Sequence, residues 1–238
     1  MRLLVSFGAT CECILDERMR NLTCKRFEVD EIWAYAGKKQ RHVQLNDNPQ
    51  EVGDFYTFVA IDAETKLVPS FLVGKRDGET ANAFIYDLAS RLDNRVQLSN
   101  DGLRAYIEAV EAGFGGDVDY GQVVKAYEAE PMGASRYSPP KVISTEKIGV
   151  VGNPNWDLIS TAYVESQNLT MRMQMRRFTR LTNAFSKKVE NLEAAVAVHF
   201  FHYNFVRKHS TIKTTPAIAA GVVDRQWSVY ELLAAGAN

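Results

Sequence analysis

The alternation of hydrophobic and polar positions predicts strands in the first third of this chain. Residues 25–36 place aromatic and β-branched side chains at alternate positions, although Ile32 breaks the parity. Residues 55–61 form an almost continuous apolar run, and residues 67–73 form another. The turn at 62–66 joins these two runs, so we expect a hairpin and, together with the first strand, a three-stranded antiparallel unit.

Helical spacing of the apolar residues follows this unit. Thr80 can cap a helix that runs to Leu92 with apolar side chains along one face. A short strand at 95–99, a helix at 103–112 and a fifth strand around 123–127 are predicted next. Three antiparallel strands followed by alternating helices and strands predict an α/β fold: a mixed five-stranded sheet flanked by helices.

The second half of the chain is predicted to be helical after one irregular stretch. Pro and Gly are frequent between 131 and 155, so we place an insertion at about residues 130–158. Helices are expected over 159–180 and 187–208, with a helical tail from Thr214. The predicted regions are an N-terminal helical segment (1–24), a core containing the insertion (25–180) and a basic helical C-terminal region (181–238).

Charge is distributed unevenly along the 238 residues, although the net charge is only −1. Between Arg172 and Lys213, nine Lys and Arg stand against two Glu, a net +7 that leaves −8 on the other residues. Such a basic stretch is typical of a phosphate-binding surface, but a solvated helical face would have the same composition. No apolar run reaches the ~20 residues of a membrane span and no signal peptide is recognisable, so we expect no membrane partner and a cytoplasmic location.

Three acids stand where local patterns begin or end. Asp30 lies in the first strand, where Asp is rare, Asp101 follows the fourth strand, and Glu165 lies in the helix predicted for 159–180. Each has an ordinary explanation: an exposed edge-strand acid, a turn, and a solvated helix surface. Three carboxylates that a fold brings together can hold two divalent metal ions for phosphodiester chemistry, and parallel strands would bring the two aspartates together.

The helix that contains Glu165 has two useful faces. At ~100° per residue, Glu165, Arg172 and Arg176 fall along one line, next to an apolar stripe of Met and Phe side chains. The stripe can pack on the sheet while the acid and the arginines lie at its edge. The arginines would then hold phosphates that flank a metal-binding acid.

Several linked motifs resemble the bacterial insertion-sequence DDE transposases of the insertion-sequence-one type, which have a ribonuclease-H-like (integrase) catalytic core. The resemblance extends from about residue 10 to 225, and the stretches that carry it are 29–39 (VDEIWAYAGKK), 59–66 (VAIDAETK), 98–106 (LSNDGLRAY), 163–173 (YVESQNLTMRM), 178–188 (FTRLTNAFSKK), 203–210 (YNFVRKHS) and 214–217 (TTPA).

The resemblance implies a ribonuclease-H-like fold with Asp30, Asp101 and Glu165 as catalytic residues and ligands of two Mg²⁺ or Mn²⁺ ions. It implies cleavage at transposon ends, strand transfer into target DNA, and a homodimer or higher oligomer on double-stranded DNA near the bacterial nucleoid. The residues expected to bind DNA are basic: Lys38, Lys39, Arg172, Arg176, Arg177, Arg180, Lys187, Lys188, Arg207 and His209.

Three departures from the family pattern keep alternatives open. The 64 positions between Asp101 and Glu165 are more than usual, which the insertion explains, and Ser166 replaces a basic residue that often follows the glutamate. The family's zinc-binding and helix-turn-helix region has no counterpart before Lys25. The alternatives are therefore a truncated, inactive DNA-binding remnant and a nuclease that only hydrolyses DNA.

Overall fold

A mixed six-stranded sheet forms the centre of the protein. The computed structural model describes residues 1–128, 142–179 and 182–235, except the side chains of 232, 233 and 235. The strand order is β3-β2-β1-β4-β5-β6. The strands are β1 (Arg26–Ala36), β2 (Gly53–Asp62), β3 (Ser70–Gly74), β4 (Val96–Asp101), β5 (Val118–Tyr127) and β6 (Val142–Val151).

The first five strands have the order and directions of a ribonuclease-H-like sheet. β1, β2 and β3 form an antiparallel meander, and β4 and β5 are parallel to β1. The predicted fold class is thereby confirmed, but with one strand more than the five expected. β6 pairs antiparallel with β5 and lies inside the stretch predicted as an insertion, where its mostly exposed residues give no alternating pattern. The rest of that stretch includes residues 129–141, which lie outside the described part of the chain.

Helices cover both faces of the sheet. They are α1 (Arg2–Arg18), α2 (Gly78–Ser90), α3 (Ala105–Phe114), α4 (Ala162–Gln174), α5 (Val189–Phe201), α6 (Pro216–Ala219) and α7 (Val229–Ala235). α4 is shorter than predicted because Met175 has an extended backbone, and a separate 3₁₀ turn follows at Arg176–Phe178. α5 likewise ends early, in a π-helical turn at His202–Val206. Asp77, not Thr80, caps α2.

Alternate side chains of β1 enter two hydrophobic cores. Phe27 and Val29 pack with apolar residues of α1, α2 and α3, whereas Ile32 and Ala34 pack with residues of α4 and α5. α1 and α5 approach so closely that a Cβ on Gly8 would lie 2.5 Å from Ala194, and only glycine fits there. None of the described helices combines the length and the apolar character needed to cross a lipid bilayer.

Candidate active site

The ends of β1 and β4 place two of the three predicted acids side by side. β1 and β4 pair in parallel, and the last paired residues are Val29 and Asn100. Asp30 and Asp101 each follow directly, so both side chains lie where the two strands separate. This position beyond the carboxyl ends of parallel strands is where open α/β sheets bind ligands.

Three carboxylates converge at this point. Asp30, Glu31 and Asp101 each offer a ligand oxygen, and these oxygens all lie within 4.8 Å of one another. Asp30 and Asp101 line an open cleft of about 730 Å³, which Glu165 also lines. The structure therefore brings the two predicted aspartates together and places Glu165 on the same cleft, outside the cluster of three. We call Asp30, Glu31 and Asp101 the carboxylate cluster.

Burial and like charge oppose ionisation of Asp30. Burial raises the pKa of Asp30, and together with the neighbouring charges of Glu31 and Asp101 it brings that pKa to about 7 against the opposing effect of its hydrogen bonds. Asn168 on α4 donates a hydrogen bond from Nδ2 to Asp30 Oδ2 at 2.8 Å, which connects β1 to the helix that carries Glu165.

Glu31 is the member of the cluster that the sequence did not single out. Its side chain is only 2% exposed, and Arg76 Nε donates to Glu31 Oε1 at 2.6 Å. Burial raises the pKa of Glu31 and Asp101 raises it further, while Arg76 opposes the shift. The available signal was the adjacent Asp-Glu pair in a strand, where acids are uncommon.

Glu165 lies in the first turn of α4 and is already paired with a cation. Lys125 on β5 donates a short hydrogen bond to Glu165 Oε1, and Thr161 Oγ1 donates to the same oxygen at 2.7 Å. Burial alone would raise the pKa of Glu165, but the bonds from Lys125 and Thr161 outweigh it and the pKa is lowered. Lys125 was not singled out, because only the pairing of β5 with β4 places it at the cleft.

A third acid of β1, Glu28, binds the start of α4. Glu28 is 1% exposed, and its Oε2 accepts hydrogen bonds from the backbone N–H groups of Tyr163 at 2.6 Å and Val164 at 3.1 Å. Thr161, the N-cap residue, makes no side-chain capping bond to the helix. Glu28 therefore supplies the cap from the sheet, which fixes α4 relative to β1.

Those of the predicted DNA-binding residues that the structure describes do not line the cleft. In the described part of the chain, the cations that line the cleft are Arg76, Arg104 and Lys125, none of which was predicted. Because α4 ends at Gln174, Arg172 lies in its last turn but Arg176 and Arg177 lie in the 3₁₀ turn, so the expected straight line of arginines on one helix is wrong.

Several of these basic side chains have local partners. Lys38 forms an ion pair with Asp47 at 2.7 Å, and Lys188 forms one with Glu190 at 3.3 Å. Arg177 donates to Ser186 Oγ at 2.9 Å. Lys39 lies over the ring of Tyr35, and Lys187 lies over the ring of Phe185. Arg207 directly follows the π-helical turn, and the ring of His209 is edge-on to that of Tyr203. Arg180 lies outside the described residues.

Comparisons with known proteins add little to this geometry. No protein-family model matches the chain, and no curated protein matches it. Among solved structures, the chain is similar to the protein in a Mos1 transposase paired-end complex with left transposon end, at 17% identity and a TM-score of 0.25. The match covers 47% of this chain and 40% of that chain. A likeness this slight carries no argument, so the assignment of the fold is based on strand order and direction.

Proposed function

We propose that this protein is a DDE transposase of the bacterial insertion-sequence-one type. It would hydrolyse phosphodiesters at transposon ends in a metal-dependent reaction and transfer the resulting 3′-hydroxyl into target DNA. The observation that carries the proposal is the convergence of Asp30, Glu31 and Asp101 beside a cleft that Asp30, Asp101 and Glu165 line, at the carboxyl ends of parallel strands in a ribonuclease-H-like sheet.

The donor atoms of the cleft suit Mg²⁺ or Mn²⁺. Hard divalent cations prefer carboxylate oxygens, and three such oxygens lie within 4.8 Å of one another with Arg76 as the one cation bonded to the cluster in the described residues. Asp30, Asp101 and Glu165 would hold two ions, with Glu31 as a further ligand. Bound there, the metal would activate water or a DNA 3′-hydroxyl and stabilise the leaving oxygen.

The chain's own cations would position the DNA. Arg76, Arg104 and Lys125 line the cleft and can donate hydrogen bonds to phosphate oxygens next to the scissile bond. For Lys125 this requires exchange of its present partner, because its ammonium now contacts Glu165. The predicted basic set from Lys38 to His209 would bind double-stranded DNA farther from the cleft, in a homodimer or higher oligomer.

Three isosteric substitutions test this proposal. Asp30→Asn, Asp101→Asn and Glu165→Gln should each abolish Mg²⁺-dependent nicking of transposon-end DNA while changing DNA affinity no more than severalfold. Asp93→Asn, the same chemical change at an exposed acid before the opposite end of β4 from Asp101, should cleave like the wild type. Persistent nicking in all three cleft variants would refute the assignment.

The same assay separates the two rivals. A hydrolysis-only nuclease would lose nicking in the three variants, but the wild-type protein would join no 3′ end to target DNA. A DNA-binding remnant would bind DNA with a steep salt dependence and cleave nothing, with or without the substitutions.

A further inference from the structure

A row of aromatic rings begins beside the carboxylate cluster. The pairing of β1 with β4 ends at Val29, so the remainder of β1 extends past that neighbour. Glu31, Trp33 and Tyr35 alternate along this extension and therefore share one side of the strand. Phe185 stacks on Tyr35 with ring centroids 4.6 Å apart, and Trp33 lies 5.7 Å from Tyr35. We call Trp33, Tyr35 and Phe185 the aromatic row.

The aromatic row has a fixed backbone, but it is not part of either hydrophobic core. All three residues are half-buried, and none of them appears in the two hydrophobic clusters of the described chain. Phe185 is held in place by the backbone next to it, since Ser186 bridges Ala36 and its carbonyl accepts from the N–H of Gly37 at 2.9 Å. Three large rings on a fixed backbone outside the cores form a preformed contact surface.

Lysines accompany the rings. Lys39 Nζ lies 5.7 Å from the centroid of Tyr35, and Lys187 Nζ lies 4.2 Å from that of Phe185. Neither lysine has an acidic partner among the ion pairs of the described residues. Ring faces interleaved with cations match the chemistry of single-stranded nucleic acid, in which bases stack on aromatic rings and phosphates bind the ammonium groups.

We propose that the aromatic row binds unpaired bases of the DNA strand that enters the cleft, an inference that rests on the proposed function. At ~3.3 Å per residue, Trp33 and Tyr35 lie roughly 7 and 13 Å along β1 from Glu31. The stacked bases are therefore a few nucleotides from a phosphate bound at the carboxylate cluster. Paired bases keep their faces within the duplex, so the row selects a frayed or single-stranded end.

Tryptophan fluorescence tests this without any cleavage. The background is Glu165→Gln with Trp156→Phe, which removes the exposed indole of Trp156 and leaves Trp227 packed against Phe201 and Phe205. The probes are a duplex with a five-nucleotide single-stranded end, the same duplex with an abasic end, and a blunt duplex. We expect only the base-bearing end to quench Trp33, and to bind about 10-fold more tightly than the abasic end.

Ring substitutions complete the test. Trp33→Leu or Tyr35→Leu should remove about 10-fold of the affinity for the base-bearing end and leave blunt-duplex affinity unchanged, whereas Tyr35→Phe should retain it. Tyr86→Leu, at an aromatic residue of α2 that is 70% exposed, is the matched control and should have no effect. Equal binding of abasic and base-bearing ends, or leucine variants that bind like the wild type, would overturn the inference.

The outcomes also separate this inference from the proposed function. If the wild-type protein nicks DNA with Mg²⁺ but binds abasic and base-bearing ends with equal affinity, the role proposed for the aromatic row is wrong and the transposase assignment stands. If base-dependent quenching appears while the wild-type protein cleaves no DNA, the row is supported and the assignment fails.

Discussion

Carboxylate pKa values shift in opposite directions on the two walls of the cleft. On the wall formed by β1 and β4, Asp30, Glu31 and Asp101 lie within 4.8 Å of one another, and burial followed by mutual repulsion raises the pKa of Asp30 and of Glu31. On the wall formed by α4 and β5, Glu165 is bonded to Lys125 and Thr161 and its pKa is lowered.

A bound cation should therefore stabilise the two walls to different extents. Like-charged carboxylates in close contact destabilise the fold unless a cation joins them, so the β1–β4 wall gains most from a divalent ion. Glu165 already has a cation, and a metal ion must compete with Lys125 for it. We therefore expect the carboxylate cluster to dominate metal affinity, with Glu165 contributing less to binding than to catalysis.

The largest expected effect comes from removing one charge of the cluster. Asp101→Asn should stabilise the metal-free protein by about 1 kcal/mol, or roughly 2–4 °C in Tm, because it relieves repulsion and keeps the acceptor for the N–H of Leu103. It should also abolish the roughly 5–10 °C rise in Tm that we expect Mn²⁺ at ~100 times its dissociation constant to give the wild type. Thermal unfolding with and without Mn²⁺ measures both.

Two variants define the control for that experiment. Asp93→Asn makes the same chemical change at an exposed site and should leave the Mn²⁺-induced rise intact. Glu165→Gln should retain more of the rise than Asp101→Asn does. If Glu165→Gln lost the whole rise and Asp101→Asn lost none, the contrast between the two walls would be reversed.

A smaller effect should follow from loosening the second wall through Glu28. Glu28→Ala removes the acceptor for the N–H groups of Tyr163 and Val164, so the start of α4 loses its hydrogen bonds to β1 while the bond from Asn168 to Asp30 remains. We expect Mn²⁺ affinity to fall by ~10-fold, as is typical when support for metal ligands is lost. Glu28→Gln retains an acceptor oxygen and should restore most of the affinity in a calorimetric titration.

A remote helix cap separates positioning from general stability. Thr215 accepts from the N–H of Ile218 at the start of α6, and Thr215→Ala should cost ~1 kcal/mol of folding stability without changing Mn²⁺ affinity. Equal Mn²⁺ affinities for the alanine and glutamine variants of Glu28 would mean that the bond to α4 does not position the site.

The parts of this site that could be predicted are those fixed by short-range patterns. Alternation identified β1, the turn after the fourth strand identified Asp101, and successive parallel strands implied that Asp30 and Asp101 are neighbours. Helical spacing likewise located Glu165 on α4, with Met171 packed in the core as the apolar stripe required. The strand, turn and helix assignments depend on residues close together in the chain, and the proximity of Asp30 to Asp101 follows from the order of the strands.

The parts that were missed depend on long-range register. Lys125 reaches the cleft because Asp101 of β4 stands opposite Val123 of β5, two residues before the lysine. Glu28 contacts the start of α4 across 135 residues. The end of α4 was also missed, because nothing in the local composition around Met175 disfavours a helix. Pairing across such distances leaves no periodic signal in the sequence.

The smallest expected effect isolates the competition between Lys125 and the metal ion. Lys125→Met frees Glu165 while keeping a side chain of similar length. Both partners are partly exposed, at 25% for Lys125 and 48% for Glu165, so the pair is expected to contribute only ~0.2–1 kcal/mol. Mn²⁺ affinity should therefore rise by only ~2- to 5-fold, measured by calorimetry.

Lys147→Met is the matched control, because it removes the same charge from the neighbouring strand. Lys147 of β6 donates to the carbonyl of Trp156 at 2.7 Å and does not line the cleft, so this variant reports the long-range contribution of one cation. Equal gains in the two lysine variants would mean that Lys125 acts through net charge alone. A direct competition instead requires that the gain from Lys125→Met shrink when it is combined with Glu165→Gln, because the double variant has no pair left to break.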